Sequence, residues 1–142
     1  MKKISWVNFL FFLLIFIQLF DIQAQNFKKN IHFDWQEPLS FHPSEENEVR
    51  LLYFRGAISA DGYESLPQYF ERFATDAFYG SYEVTLSDVQ SARMTADEAA
   101  LVPAGFAEES FRATARTVVD RKKNYAALSI LPVRKNGNGY EK

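Results

Sequence analysis

Residue types that could perform catalysis are few in this chain, and those present lack the partners that catalysis needs. The sequence contains no cysteine, and its two histidines are His32 and His42. A histidine acts as a general base only beside a nucleophile, and no serine lies in a G-x-S-x-G turn. We therefore predict no catalytic residues, and we expect His32 to be a surface residue of an edge strand. A small hydrolase is the least favoured function.

Two charged clusters could bind ions or polymers, but neither has the spacing of a known site. Glu45-Glu46-Asn47-Glu48 lacks the alternating ligands and central glycine of a calcium loop, so we predict a solvated loop. Arg121-Lys122-Lys123 has no aromatic platform beside it and is typical of a soluble hairpin tip. We expect no metal and no cofactor. The net charge of −2 gives no reason to expect nucleic acid as a partner.

Aromatic residues are dense between positions 63 and 82. They are Tyr63, Tyr69, Phe70, Phe73, Phe78, Tyr79 and Tyr82. Such a density forms either a docking face for another protein domain or ordinary core and loop packing. Because a sheet protein without disulfides depends on buried aromatic side chains, core packing is the favoured interpretation.

The start of the chain has the composition of a secretory signal peptide. Two lysines precede the apolar run FLFFLLIFI (9–17), and the small Ala24 follows at a suitable distance. The apolar stretch is shorter than the roughly 20 residues of a membrane span, which makes a retained anchor the less favoured alternative. We predict cleavage between Ala24 and Gln25, export to the periplasm or the cell surface, and contact with a membrane only through the signal peptide.

Alternating apolar residues predict strands along the rest of the chain. We predict strands over 48–57 and 82–88 and a β-hairpin over 111–133. Residues 31–35 predict a short edge strand followed by a loop. Residues 58–73 combine turn signals with aromatics, which indicates either a short helix or a packed loop.

One short helix is expected near the middle of the chain. Thr95 and Glu98 have the spacing of a capping box, and Pro103 would end the helix. The fold class is therefore mostly β. We predict one antiparallel, sandwich-like domain over residues 25–142 with one short helix, after a signal peptide over residues 1–24.

The segment LPVRKNGNGYEK (131–142) indicates a hairpin without room for its second strand. Val133 is predicted to end a strand, and 136–139 has the residues of a tight turn. Only Tyr140, Glu141 and Lys142 follow that turn. We therefore predict a domain that is incomplete at its C-terminus, marginally stable and prone to associate, with apolar residues of 125–131 left exposed.

Short motifs across the predicted domain resemble the N-terminal region of the type IX secretion sortases (PorU), which are gingipain-type cysteine peptidases. The resemblance is carried by an early tryptophan, an F-x-G-A strand end, an LP-x-Y turn and a P-x-R-K-N segment. The matching residues are Trp35, Phe54, Gly56, Ala57, Leu66, Pro67, Tyr69, Pro132, Arg134, Lys135 and Asn136, followed by Tyr140, Glu141 and Lys142.

The resemblance implies a noncatalytic, prodomain-like β domain ahead of a caspase-like peptidase domain that carries a His–Cys dyad. The parent enzyme would cleave C-terminal sorting signals from exported cargo and attach the cargo to the cell surface. The implied partners are that downstream peptidase domain and other components of type IX secretion. None of the family's catalytic residues lies in this chain. An independent exported β-sandwich module that binds protein or carbohydrate is the alternative.

Overall fold

The computed structural model describes residues 26–44, 47–60, 62–76 and 82–142. The predicted signal peptide, its cleavage point at Ala24 and Gln25, and the aromatic residues Phe78 and Tyr79 lie outside the described residues. The chain divides into two units, Met1–Asn30 and Ile31–Lys142. The described residues of the first unit, 26–30, have no regular secondary structure.

The second unit is mostly β, with antiparallel strands and one short helix, so the predicted sandwich-like fold class is confirmed. The elements are β1 (Trp35–Ser44), β2 (Asn47–Phe54), β3 (Ile58–Ala60), β4 (Tyr63–Ala74), α1 (Ala96–Ala99), β5 (Arg112–Asp120), β6 (Lys123–Leu131), β7 (Arg134–Asn136) and β8 (Gly139–Glu141). They form a two-stranded sheet β1-β2, a four-stranded sheet β3-β4-β6-β5 and a two-stranded sheet β7-β8.

The hydrophobic core lies between the four-stranded sheet, strand β2 and the segment around α1. Its buried residues are Leu52, Ala60, Leu66, Met94, Val102, Phe106, Leu131 and Val133. Phe106 meets the rings of Tyr63 and Tyr140 at centroid distances of 5.0 Å and 6.0 Å. The capping box forms as predicted, because Thr95 accepts from the Glu98 N–H while the Glu98 carboxylate accepts from the Thr95 N–H.

Strand β6 lies between β4 and β5 in the four-stranded sheet, and the predicted hairpin of 111–133 is confirmed as β5 and β6. Arg121 and Lys122 form its turn with φ angles of 47° and 65°. β6 pairs with β5 from Leu131 to Lys123 and with β4 from Ile130 to Tyr125. The predicted exposure of the apolar residues in this strand is wrong, because it has a neighbour on each side and its residues include the buried Ala126, Ala127, Ile130 and Leu131.

β3 and most of β4 lie within residues 58–73, with a turn at Gly62 between them, so the predicted short helix or packed loop is wrong. Leu66 and the buried Pro67 lie within β4, where the residue before a proline favours extended backbone. The aromatic residues that suggested a helix also favour strands, and here pairing with β6 decides between the two. Residues 82–88, predicted as a strand, have no strand assignment despite their alternation.

Strand β1 begins at Trp35 and continues to Ser44, so the predicted short strand over 31–35 and the loop after it are wrong. Pro38 and Pro43 interrupt the pattern but not the strand. The register of β1 with β2 shifts between Gln36 and Leu39 and again between Phe41 and Ser44, which are the intervals that contain the two prolines. A proline cannot donate a ladder hydrogen bond, and such irregularities accommodate it.

The C-terminal segment forms a complete small hairpin, which corrects the prediction of a missing partner strand. β7 pairs with β8 across the turn at Gly137 and Asn138, and β6 already ends at Leu131. Val133 belongs to neither strand and is fully buried, with 0% exposure. The other edge of β8 pairs with residues 92–94: the Met94 N–H donates to Tyr140 O at 2.9 Å, and the Lys142 N–H donates to Ala92 O at 2.9 Å.

Candidate binding surfaces

Three motif residues from the first half of the sequence, Trp35, Phe54 and Tyr69, are linked by aromatic contacts. The Trp35 ring lies edge-on to the Phe54 ring at a centroid distance of 5.3 Å. The Phe33 ring contacts the Phe54 ring at 4.9 Å and the Tyr69 ring at 5.9 Å, and it thereby links these two residues. Leu66 and Pro67 are buried in β4. Gly56 has a φ of +84° in the turn after β2. A hydrogen bond from the Ala57 N–H to Phe54 O, at 3.0 Å, closes this turn. These residues serve packing and chain reversal.

Two motif residues of the second half, Arg134 and Asn136, donate hydrogen bonds to the Glu141 carboxylate. Glu141 accepts from Asn136 Nδ2 at 2.6 Å, from Arg134 Nε at 2.8 Å and from Ser91 Oγ at 3.0 Å. The hydrogen bonds from Asn136 and Arg134 lower the pKa of the Glu141 carboxyl below its usual 4.5. A carboxylate with so many donors stays charged and is a poor base, so this cluster stabilises the β7–β8 hairpin. Pro132 is buried and Lys135 is exposed.

The other predicted features are at the surface or outside the described residues. His32 and His42 are both exposed, and His32 precedes β1 rather than lying in a strand. Glu45 and Glu46 are outside the described residues, and Glu48 is exposed in β2. Within 26–44, 47–60, 62–76 and 82–142, no group of three or more His, Asp or Glu side chains could hold a metal ion. The same residues include no helix with the length and apolar character to cross a membrane.

A groove of about 250 Å³ lies on one face of the four-stranded sheet. It is lined by Gln68, Arg112, Thr114, Arg116, Ala127, Ser129 and Leu131. The register explains its position. Ser129 of the central strand lies between Phe70 of β4 and Thr114 of β5, and Ala127 lies between Arg72 and Arg116. Small side chains on the central strand between longer ones on its neighbours leave a depression, which we call the polar groove.

The arginines around the polar groove differ in their partners. Arg112 pairs with Glu108 at 3.3 Å and lies 5.7 Å from the Tyr63 ring. Arg72 pairs with Asp120 at 3.1 Å and lies 5.3 Å from the Tyr125 ring. The guanidinium of Arg116 is exposed and has neither an ion pair nor a hydrogen bond with any described residue. Arg116 therefore supplies an uncompensated positive charge at the groove.

The lining of the polar groove combines arginine, hydroxyl and amide side chains. Its arginines are permanent donors, and the hydroxyls of Thr114 and Ser129 can both donate and accept. These groups favour an anionic or hydroxylated ligand. The alternation of Arg112, Thr114 and Arg116 was visible in the sequence, but their pairing with the small residues of β6 depends on a register that no single strand reveals.

A second surface lies on the two-stranded sheet. Leu39 pairs with Leu51, and Phe41 pairs with Val49, so four apolar side chains share one face of this ribbon. We call it the apolar ribbon face. Leu39 and Phe41 are 49% and 45% exposed. Ser40 and Arg50 pair on the opposite face, and both are exposed.

The fold defines a mostly β, sandwich-like module. No protein-family model matches the chain, and comparisons with curated proteins and with solved structures find no similar protein.

Proposed function

We propose that this chain is the noncatalytic, exported N-terminal domain of a type IX secretion sortase. In that family the following peptidase domain cleaves C-terminal sorting signals of cargo and attaches the cargo to the cell surface. The proposal is supported by the short motifs around Trp35, Phe54, Leu66 and Arg134 and by the β-rich fold. We further propose that the domain binds the peptidase domain, with other components of type IX secretion as additional partners.

The observation that carries the proposed contact with a second domain is the apolar ribbon face. A two-stranded ribbon gains little stability by itself, and nearly half of the Leu39 and Phe41 side chains is exposed. Covering such side chains with a second protein surface would remove apolar area from water. Each Å² of apolar area buried in this way stabilises the contact by about 25 cal/mol. Aromatic and aliphatic side chains at the centre of a contact are typical of domain interfaces.

The DNA downstream of the Lys142 codon provides the first test. A sequence that encodes His and Cys motifs in frame, or after one frameshift, would support the sortase. A stop codon followed by unrelated sequence would contradict it.

The docking surface can then be tested with the encoded downstream polypeptide. We expect the polypeptide to co-purify with the chain and Phe41→Glu to weaken that binding at least about tenfold, because a charge would be buried at the contact. Ser40→Glu is the matched control, since it places the same charge on the opposite face of β1. Equal binding by the two variants would exclude the apolar ribbon face as the docking surface.

Export is the other part of the proposal, and it depends on the sequence of residues 1–24. N-terminal sequencing of the exported protein should give Gln25 as the first residue. An intact Met1 in a membrane fraction would contradict cleavage after Ala24.

The second candidate function is an independent exported β module that binds a protein or carbohydrate ligand. The polar groove favours it, because an uncompensated arginine beside two hydroxyls can hold a ligand without any peptidase domain. The downstream sequence distinguishes the two candidates.

A further inference from the structure

Strand β5 forms one edge of the four-stranded sheet, next to the polar groove. β6 is its only strand partner among the described residues. The backbone groups from Ala113 to Arg116 form hydrogen bonds with described residues only within the β5–β6 ladder. A free edge offers a row of N–H and C=O groups to any extended chain that lies beside it.

The side chains along this edge suit an added strand. Thr114 and Arg116 are exposed and line the polar groove, while Ala113 and Ala115 are small and point to the other face. Side chains of an added strand alternate between the two faces. Every second side chain of the added strand would therefore lie beside Thr114 and Arg116, and the intervening side chains would lie beside the alanines without steric conflict.

The charge around this edge selects the partner. The guanidinium of Arg116 has no partner among the described residues, and the exposed Arg121, Lys122 and Lys123 form the adjacent hairpin tip. This local excess of positive charge occurs in a chain whose net charge is −2. Carboxylates that lie beside arginine form charge-assisted hydrogen bonds, which also fix the orientation of the bound group.

We propose that an extended acidic peptide binds along β5 from Ala113 to Arg116. Its backbone extends the sheet by one strand, and its carboxylates contact Arg116 and the polar groove. Main-chain hydrogen bonds supply affinity in this binding mode, and the alternating side chains supply specificity. The inference goes beyond the proposed function, because it requires neither a peptidase domain nor the apolar ribbon face.

The first experiment measures binding of a fluorescein-labelled peptide, Thr-Glu-Val-Glu-Thr-Glu-Val, to the purified chain by fluorescence anisotropy. The control peptide has Gln in place of each Glu. We expect at least about tenfold weaker binding of the control peptide, and weaker binding of the acidic peptide as salt concentration rises. Equal binding of the two peptides would overturn the proposal. Binding of a sulfated polysaccharide without binding of the peptide would also overturn it, in favour of an anionic glycan.

The second experiment locates the contact. Arg116→Gln should weaken binding of the acidic peptide about tenfold. Arg50→Gln removes the same charge from an exposed position in β2, and it should change binding less than about twofold. Both side chains are exposed, so unfolding curves should show that both variants keep the wild-type fold. Equal weakening by the two substitutions would mean that only overall charge matters, which contradicts a site at β5.

The third experiment tests the added strand. Two versions of the acidic peptide carry N-methyl groups at alternate backbone amides, one at the even positions and one at the odd positions. Alternate amides of an edge strand point toward and away from its neighbour. We therefore expect one version to lose binding and the other to retain it. Equal binding by both versions would show that side chains alone make the contact and would overturn the strand addition.

Discussion

The ammonium group of Lys142 lies 5.0 Å from the centre of the Trp35 ring and donates a hydrogen bond to the Glu98 carboxylate. This contact joins the first residue of β1, the helix α1 and the residue that follows β8. The Lys142 and Glu98 side chains are each only 15% exposed, so solvent screens their interaction less than it screens a surface ion pair.

Replacement of Lys142 by methionine should destabilise the domain. Methionine keeps an apolar stem against Trp35 but removes the charge that both Trp35 and Glu98 contact. We expect the free energy of unfolding in urea to fall by about 1–2 kcal/mol, which is typical for loss of a partly buried cation–π contact with its hydrogen bond. Lys135→Met is the control, because Lys135 is exposed in β7. An equal loss in both variants would contradict a specific role for Lys142.

Stability should fall as the solution becomes acidic, because two carboxyl groups hold their protons less tightly in the folded state. Burial raises the pKa of Glu98, but the hydrogen bond and charge of Lys142 and the Thr95 N–H outweigh burial and lower the pKa below its usual 4.5. The pKa of Glu141 is lowered in the same direction. A lowered folded-state pKa stabilises the fold above the unfolded-state pKa, and this contribution is lost as pH falls through the folded-state value.

The measurement is the free energy of unfolding from about pH 6 to below the usual carboxyl pKa of about 4. We expect a decrease toward low pH that is smaller in Glu141→Gln, because this variant has no Glu141 carboxylate left to protonate. Glu37→Gln, at an exposed position in β1, should keep the wild-type pH profile. A Glu141→Gln profile with the wild-type slope would show that this carboxylate does not contribute.

Truncation of Val133 should cost more than truncation of a valine in a strand. Val133 is 0% exposed although it lies in neither strand, whereas Val119 of β5 is 57% exposed. Val133→Ala should lower the free energy of unfolding by about 2 kcal/mol, from the methyl groups lost and the cavity left. Val119→Ala should change it by less than about 0.5 kcal/mol. The reverse order would contradict the position of Val133 in the core.

Elements with local signals could be predicted from the sequence. The capping box of Thr95 and Glu98, the turn at Arg121 and Lys122, and strand β2 each depend on residues a few positions apart. Their backbone preferences agree with the fold, so tertiary contacts did not override them.

Elements with distant partners could not be predicted in the same way. The second half of β4 pairs with β6, and β3 pairs with the first half of β4. β1 tolerates Pro38 and Pro43 because its register with β2 is irregular. The short β8 is supported on its outer edge by residues 92–94, which no local pattern indicates. The polar groove depends on the register that places Arg116 beside Ala127. In each case the deciding contact joins residues far apart in the chain.

The two glycines of the β7–β8 hairpin should respond differently to alanine. Gly137 has a φ of +58°, and a Cβ there would meet nothing within 4 Å, so Gly137→Ala costs only backbone strain. We expect the free energy of unfolding in urea to fall by about 1–2 kcal/mol, and to fall less for Gly137→Asn, because asparagine tolerates this conformation.

A Cβ at Gly139 would lie 2.9 Å from Arg93 Nη2, which is the far end of a long, flexible side chain. Arg93 can move aside, so Gly139→Ala should cost less than about 0.5 kcal/mol. A larger loss for Gly139→Ala than for Gly137→Ala would show that Arg93 is held in place over β8.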